Sequence, residues 1–181
     1  MGTALTPLTA GTWNVDPSHS SVGFTARHLM VSKARGTFTS FSGAVVVAEN
    51  PLESTVSASV DMASVNTGDA NRDGHLQSPD FFDVAQFPTM TFTTTSLEAD
   101  GDDYLLHGDL TIKGVTRPVT FELEFEGVAT DPWGNTKAGF SAEAEINRKE
   151  WGLEWNVALE AGGVLVGERI KIQLDIQAVR A

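Results

Sequence analysis

The sequence predicts an all-β protein: a single antiparallel barrel of about eight strands with a short helical lid segment. Three observations lead there. Apolar and polar residues alternate with period 2 along most of the 181 residues. Turn residues interrupt that pattern at hairpin spacing. One long stretch breaks the alternation and carries a helix signature instead.

Residues 1–10 are expected to be a disordered tail, and 11–181 the barrel domain. Met1 to Ala10 hold no Lys or Arg and no apolar run, so no secretory leader is expected and a cytoplasmic location is. Trp13 to Asp16 and Ser21 to His28 read as strands parted by Asp16-Pro17-Ser18. Gly36 to Glu49 reads as one long strand, ended by Asn50-Pro51. Val56, Ala58, Val60 and Met62 then alternate with Ser57, Ser59 and Asp61. From Asn66 to Gln86 the alternation lapses, and Thr67 or Asp69 is placed to cap a short helix through His75 or Leu76. Pro79 ends it, and Phe81, Phe82 and Phe87 follow.

Strands resume at Met90 to Leu97 and Tyr104 to Lys113. Val119, Phe121, Leu123 and Phe125 interleave with Thr120, Glu122, Glu124 and Glu126. Phe140, Ala142, Ala144 and Ile146 interleave with Ser141, Glu143 and Glu145. Ile170, Ile172, Leu174 and Ile176 interleave with Lys171, Gln173, Asp175 and Gln177. Period 2 sends one set to a dry face and the other to water; a helix would scatter those glutamates around its circumference. Phe121, Leu123 and Phe125 are therefore expected inside, Glu122 and Glu124 outside. So many apolar faces need mutual cover, and closing the sheet provides it without leaving an edge. The inner set includes small residues, Ala26, Ala58, Gly108, Ala142 and Ala144, which leave volume for an apolar guest.

Composition excludes several functions. With a net charge of −12 the surface repels phosphate backbones, so no nucleic-acid partner is expected. There is no cysteine, hence no disulfide and no thiolate chemistry. No apolar run is long enough for a transmembrane helix, so an integral membrane protein is not expected. No nucleophile elbow or phosphate-binding glycine loop occurs. His19, His28, His75 and His107 form no metal-ligand spacing. Glu122, Glu124 and Glu126 share a wet strand face rather than forming a catalytic pair. Arg148 is read either as a partner of Asp80 or Asp83 that fixes the lid, or as a surface arginine.

An ordered set of motifs adds to this. Val15-Asp16-Pro17-Ser18-His19-Ser20 leads into Val22-Gly23-Phe24 and Arg27-His28. Asp73-Gly74-His75-Leu76-Gln77-Ser78-Pro79-Asp80-Phe81-Phe82-Asp83 precedes Phe87-Pro88. Gly108-Asp109-Leu110-Thr111-Ile112-Lys113-Gly114 and Ile146-Asn147-Arg148-Lys149-Glu150-Trp151-Gly152 complete it. From Trp13 to Ala178 the chain closely resembles the bacterial YceI-like polyisoprenoid-binding family. The resemblance implies a lipocalin-like barrel, often a homodimer. It also implies a tunnel for an isoprenoid lipid such as a polyprenyl alcohol, a polyprenyl phosphate or a quinone tail. Many members are periplasmic. The lipid is cargo; no cofactor, metal or catalytic residue is implied.

On that reading the tunnel wall takes Phe24, Phe38, Val60, Met90, Phe92 and Leu110. Ile112, Phe121, Leu123, Phe125, Phe140 and Ile172 continue it. His75, Phe81, Phe82 and Phe87 belong to a lid that caps one end and moves to admit the chain, with Arg72, Asp73 and Gln77 toward solvent or a head group. Trp151 and Trp155 either close a barrel end or pack beneath a turn. Phe82→Ala is accordingly expected to lower lipid retention more than stability. Ten buried methylenes contribute about 8 kcal/mol, within the roughly 4–15 kcal/mol that association costs, so a chain of about twenty carbons or more is expected. Two other classes remain open: a barrel enzyme acting on a hydrophobic substrate, which needs an inward titratable group, and a side-chain-filled barrel serving as an interaction or stress protein.

Overall fold

The computed structural model of the chain describes residues 8–29, 31–156 and 166–181. Eleven β segments make one closed eight-stranded antiparallel barrel. β1 (Gly11–Val15) and β2 (Ser21–His28) run end to end along β11 (Val166–Arg180). β3 (Ser32–Phe38) and β4 (Phe41–Val47) likewise form one bent strand beside them. β5 (Thr55–Asp61) and β6 (Val65–Asn66) make the third. β7 (Thr89–Asp100), β8 (Asp103–Ile112), β9 (Val115–Thr130) and β10 (Thr136–Asn147) continue as a meander back to β11.

The long strand expected from Gly36 to Glu49 is thus broken at Thr39–Ser40, and the physical reason is a shared corner. Ser40 O accepts the Asp61 N–H at 2.9 Å, just where β5 also bends. Four of the bends and turns start with an Asp or Asn whose side chain caps the next N–H groups: Asp16, Asn50, Asp61 and Asn147. The seam between the first and last strands is closed by Trp13↔Arg180 pairing and by Ser20 Oγ, which donates to Gln177 O across 157 positions.

The expected helix is present as α1 (Ala70–Gln77), capped by Asp69, which accepts from Asn71 N and Arg72 N. β6 pairs only with β3 among the described residues, and β5 pairs with β7 only from Ser57↔Thr93 to Asp61↔Thr89. Residues 67–88 leave and re-enter the wall at that gap. Most of the expected tail lies outside the described residues, but its last part is corrected: Leu8 is buried, and Thr9 O accepts from the Trp13 indole at 3.0 Å. Leu8 to Ala10 belong to the barrel because their apolar side chain and carbonyls find partners there.

Candidate functional site

Inward side chains form two packed groups separated by a cavity. Toward one end Phe38, Met62, Val65, Ile112, Ile146 and Trp151 are buried together. Toward the other, Leu8, Trp13, Val45, Phe125, Phe140 and Ala178 are. Between and beyond them lies a cavity of ≈ 170 Å³. That is close to the roughly 150 Å³ of an apolar cavity that takes up one benzene.

The expected tunnel residues Val60, Met90, Phe92 and Leu110 line this cavity, as do Phe121, Leu123, Phe140 and Ile172. Phe24, Phe38, Ile112 and Phe125 face inward but pack away from it. The reading by sequence missed Leu8, Val15, Phe41, Val56, Leu97 and Ile176, all on the wall. Their signal was available, since the strand members occupy the same alternating face. The wall is carbon apart from a few Ser and Thr groups, and no titratable side chain belongs to it among the described residues. Glu122 and Glu126 are exposed on the outer face; Glu124 is half-buried there.

The small-residue argument holds at two of its five positions. Ala58 and Ala142 do border the cavity. At Gly108 the Phe92 ring already fills the space where a Cβ would stand. The Phe24 ring does the same over Gly36. Ala26 and Ala144 also lie off the cavity wall.

The lid residues sit elsewhere than expected. His75, Phe81, Phe82 and Phe87 touch no part of the cavity wall. Phe82 packs on Phe38 at 6.1 Å between ring centroids, and Phe87 covers Gly114 of the β8–β9 turn. His75, Phe81 and Trp155 form one aromatic cluster, with His75 and Trp155 4.5 Å apart, and His75 Nε2 reaches Asp80 at 2.9 Å. Arg72 and Asp73 are not aimed at solvent: both bond to Thr67 and fasten the segment to the end of β6. Gln77 bonds to Ala63 O.

Arg148 departs from both expectations. It is 3 % exposed and pairs with neither Asp80 nor Asp83. Its guanidinium donates to the carbonyls of Leu153, Trp155, Val166 and Gly167, and lies over the Phe81 ring. Burial pushes its pKa down from the ordinary arginine value, and Glu168 opposes that. Trp151 is fully buried, its indole N–H donating to Leu110 O at 2.9 Å. Residues 67–88 and 148–156 therefore plug one end of the barrel.

The cavity runs the other way. Its wall reaches Leu8, Pro51, Ser54 and Leu97, at the end formed by the β4–β5 and β7–β8 connections. His19, His75 and His107 stand apart from it. His19 bonds to Asp16 on the surface, and His107 bridges Glu98 and Thr120 on the outer wall. His28 ends β2. No helix of the described residues is long and apolar enough to cross a membrane.

Comparison with known proteins agrees with this architecture. The family model described as the YceI-like domain matches residues 13–178. Protein YceI of Escherichia coli O17:K52:H18 is 44 % identical over 137 residues, 75 % of this chain and 72 % of the relative. BcnA of Burkholderia cenocepacia superposes with a TM-score of 0.75 at 23 % identity, covering 90 % of this chain and 98 % of that one. A polyisoprenoid binding domain from Saccharophagus degradans, implicated in plant cell wall breakdown, superposes with a TM-score of 0.71 at 16 % identity, covering 93 % and 98 %.

Proposed function

The chain belongs to the YceI-like family, and we propose that it binds one long isoprenoid chain inside its barrel, as carrier or store. The carrying observation is the carbon-walled cavity within a closed barrel. Such a cavity gains free energy only from apolar groups, about 0.8 kcal/mol for each methylene it takes from water. A wall without titratable groups offers no general acid or base, so the reading is of a binding protein rather than an enzyme. The polyisoprenoid-binding description of the Saccharophagus fold relative supports the choice of ligand class. The lipid is cargo, and a quinone, if bound, is cargo too.

A chain of twenty carbons exceeds a cavity of ≈ 170 Å³. It must project at the end near Leu8, Pro51 and Ser54 or press side chains aside. Native mass spectrometry of the purified protein, followed by lipid extraction, is expected to show one isoprenoid per barrel. Ala142→Phe places a ring in the cavity and should abolish that occupancy while leaving the melting temperature equal or higher. Wild-type lipid occupancy in this variant would place the binding site outside the barrel.

A further inference from the structure

We infer that the head group of the cargo is electrically neutral, an alcohol, ester or quinone, and not a phosphate or diphosphate. The inference rests on the isoprenoid reading and deepens it. A polar head gains nothing within a carbon wall, so it must lie where the cavity reaches the barrel end, beside Leu8, Pro51, Ser54 and Leu97. The chain is too long for the cavity, which leads to the same place.

The charge at that end is one-sided. The β4–β5 connection carries exposed Glu49 and Glu53, and the β7–β8 hairpin carries exposed Glu98, Asp100 and Asp102. Neither residues 48–54 nor residues 96–105 include a Lys or Arg. Among the described residues, two side-chain cations stand at this end, and both are engaged. Lys137 lies 3.6 Å from Asp131 and 4.0 Å from Asp16. Arg180 bonds to Thr9 Oγ1 and Ala10 O. Cations are placed instead at the plugged end, with Arg27, Lys33 and Arg35 about the β2–β3 turn and Lys113, Arg117 and Lys149 beside the plug.

Phosphates are held by Arg, Lys or a helix N-terminus, and a dianion at this mouth would meet an excess of carboxylates, the two cations there being already engaged. A neutral oxygen is better served. Ser54 Oγ accepts from Ala48 N at 3.0 Å, which leaves its own proton to donate to a carbonyl or hydroxyl.

The test compares geranylgeraniol, geranylgeranyl phosphate and geranylgeranyl diphosphate on the delipidated full chain at two salt concentrations. The alcohol should bind at least about tenfold more tightly than the phosphate, with the diphosphate weakest and the gap narrowing in salt. Glu49→Lys combined with Glu53→Lys should narrow the gap further while leaving the affinity for the alcohol unchanged. Phosphate binding as tight as the alcohol's, or a ratio indifferent to the charge reversal, overturns this inference alone. Binding of none of the three overturns the isoprenoid reading and this inference with it.

Discussion

At one end of the barrel the chain crosses the opening twice and locks itself there; at the other it makes short turns and leaves the cavity within reach of Leu8, Pro51 and Ser54. The plugged end is held by buried groups: Arg148 on four carbonyls, Trp151 on Leu110, and the aromatic contacts of Phe81 and Phe82. The other end is packed too, around Trp13, Phe125 and Phe140, and polar bonds fasten its surface, among them Asp16 with Ser18 and His19, and Lys137 with Asp131. Both ends are packed, so the difference between them lies in where the cavity runs: the crossings shut it off from one end and the short turns do not.

The largest effect should come from Arg148→Ala. It takes the donor from the buried bond to the Leu153 carbonyl and from three part-buried ones, at a cost of about 3–5 kcal/mol in all. Urea denaturation measures it, and a loss below about 1 kcal/mol would show that the plug is organised by something else. Phe82→Ala comes next, at about 2–3 kcal/mol, with lipid retention unchanged. This reverses the expectation drawn from sequence. If lipid were lost while stability held, the binding space would extend into the plug and the contrast between the ends would fail.

The smallest effect is at Asp16. The Ser18 hydroxyl and His19 hold its carboxyl at about 2, below the ordinary 3.8. Its contribution is complete above pH 3.8 and disappears as pH falls toward 2. Asp16→Asn should therefore cost about 1 kcal/mol or less at neutral pH. Thermal melts of the two proteins should converge as pH falls from 4 to 2; a gap that stays constant would mean that the carboxylate charge is irrelevant there.

Much of the wall was legible because its two faces differ so sharply. The glutamates of β9 and the apolar residues between them fix a register that no other pairing satisfies. The Asp69 cap announced α1 in the same local way. The cavity's position was not legible, because it depends on which side chains lean. Gly108 and Ala142 both promise space in the sequence, yet Phe92 occupies one and nothing occupies the other. Arg148 was misread for a related reason. Its partners are backbone carbonyls 5 to 19 positions away, and carbonyls carry no sequence signal. Leu8 was missed because a short segment ahead of the first strand shows no periodicity.

The seam has a consequence for biosynthesis. Ser20 and Gln177, bonded across it, are made 157 residues apart. A nascent chain can zip β7 through β10 hairpin by hairpin as each strand leaves the ribosome, but the ring cannot close until β11 has emerged. Until then the outer edges of β10, β1 and β2 await the same missing partner, and each is a template for another chain. Such non-local pairing is slow, on the order of milliseconds to seconds. Folding yield should thus be set by the last strand translated, and a ribosome stalled before residue 166 would hold an open sheet with no enclosed space at all.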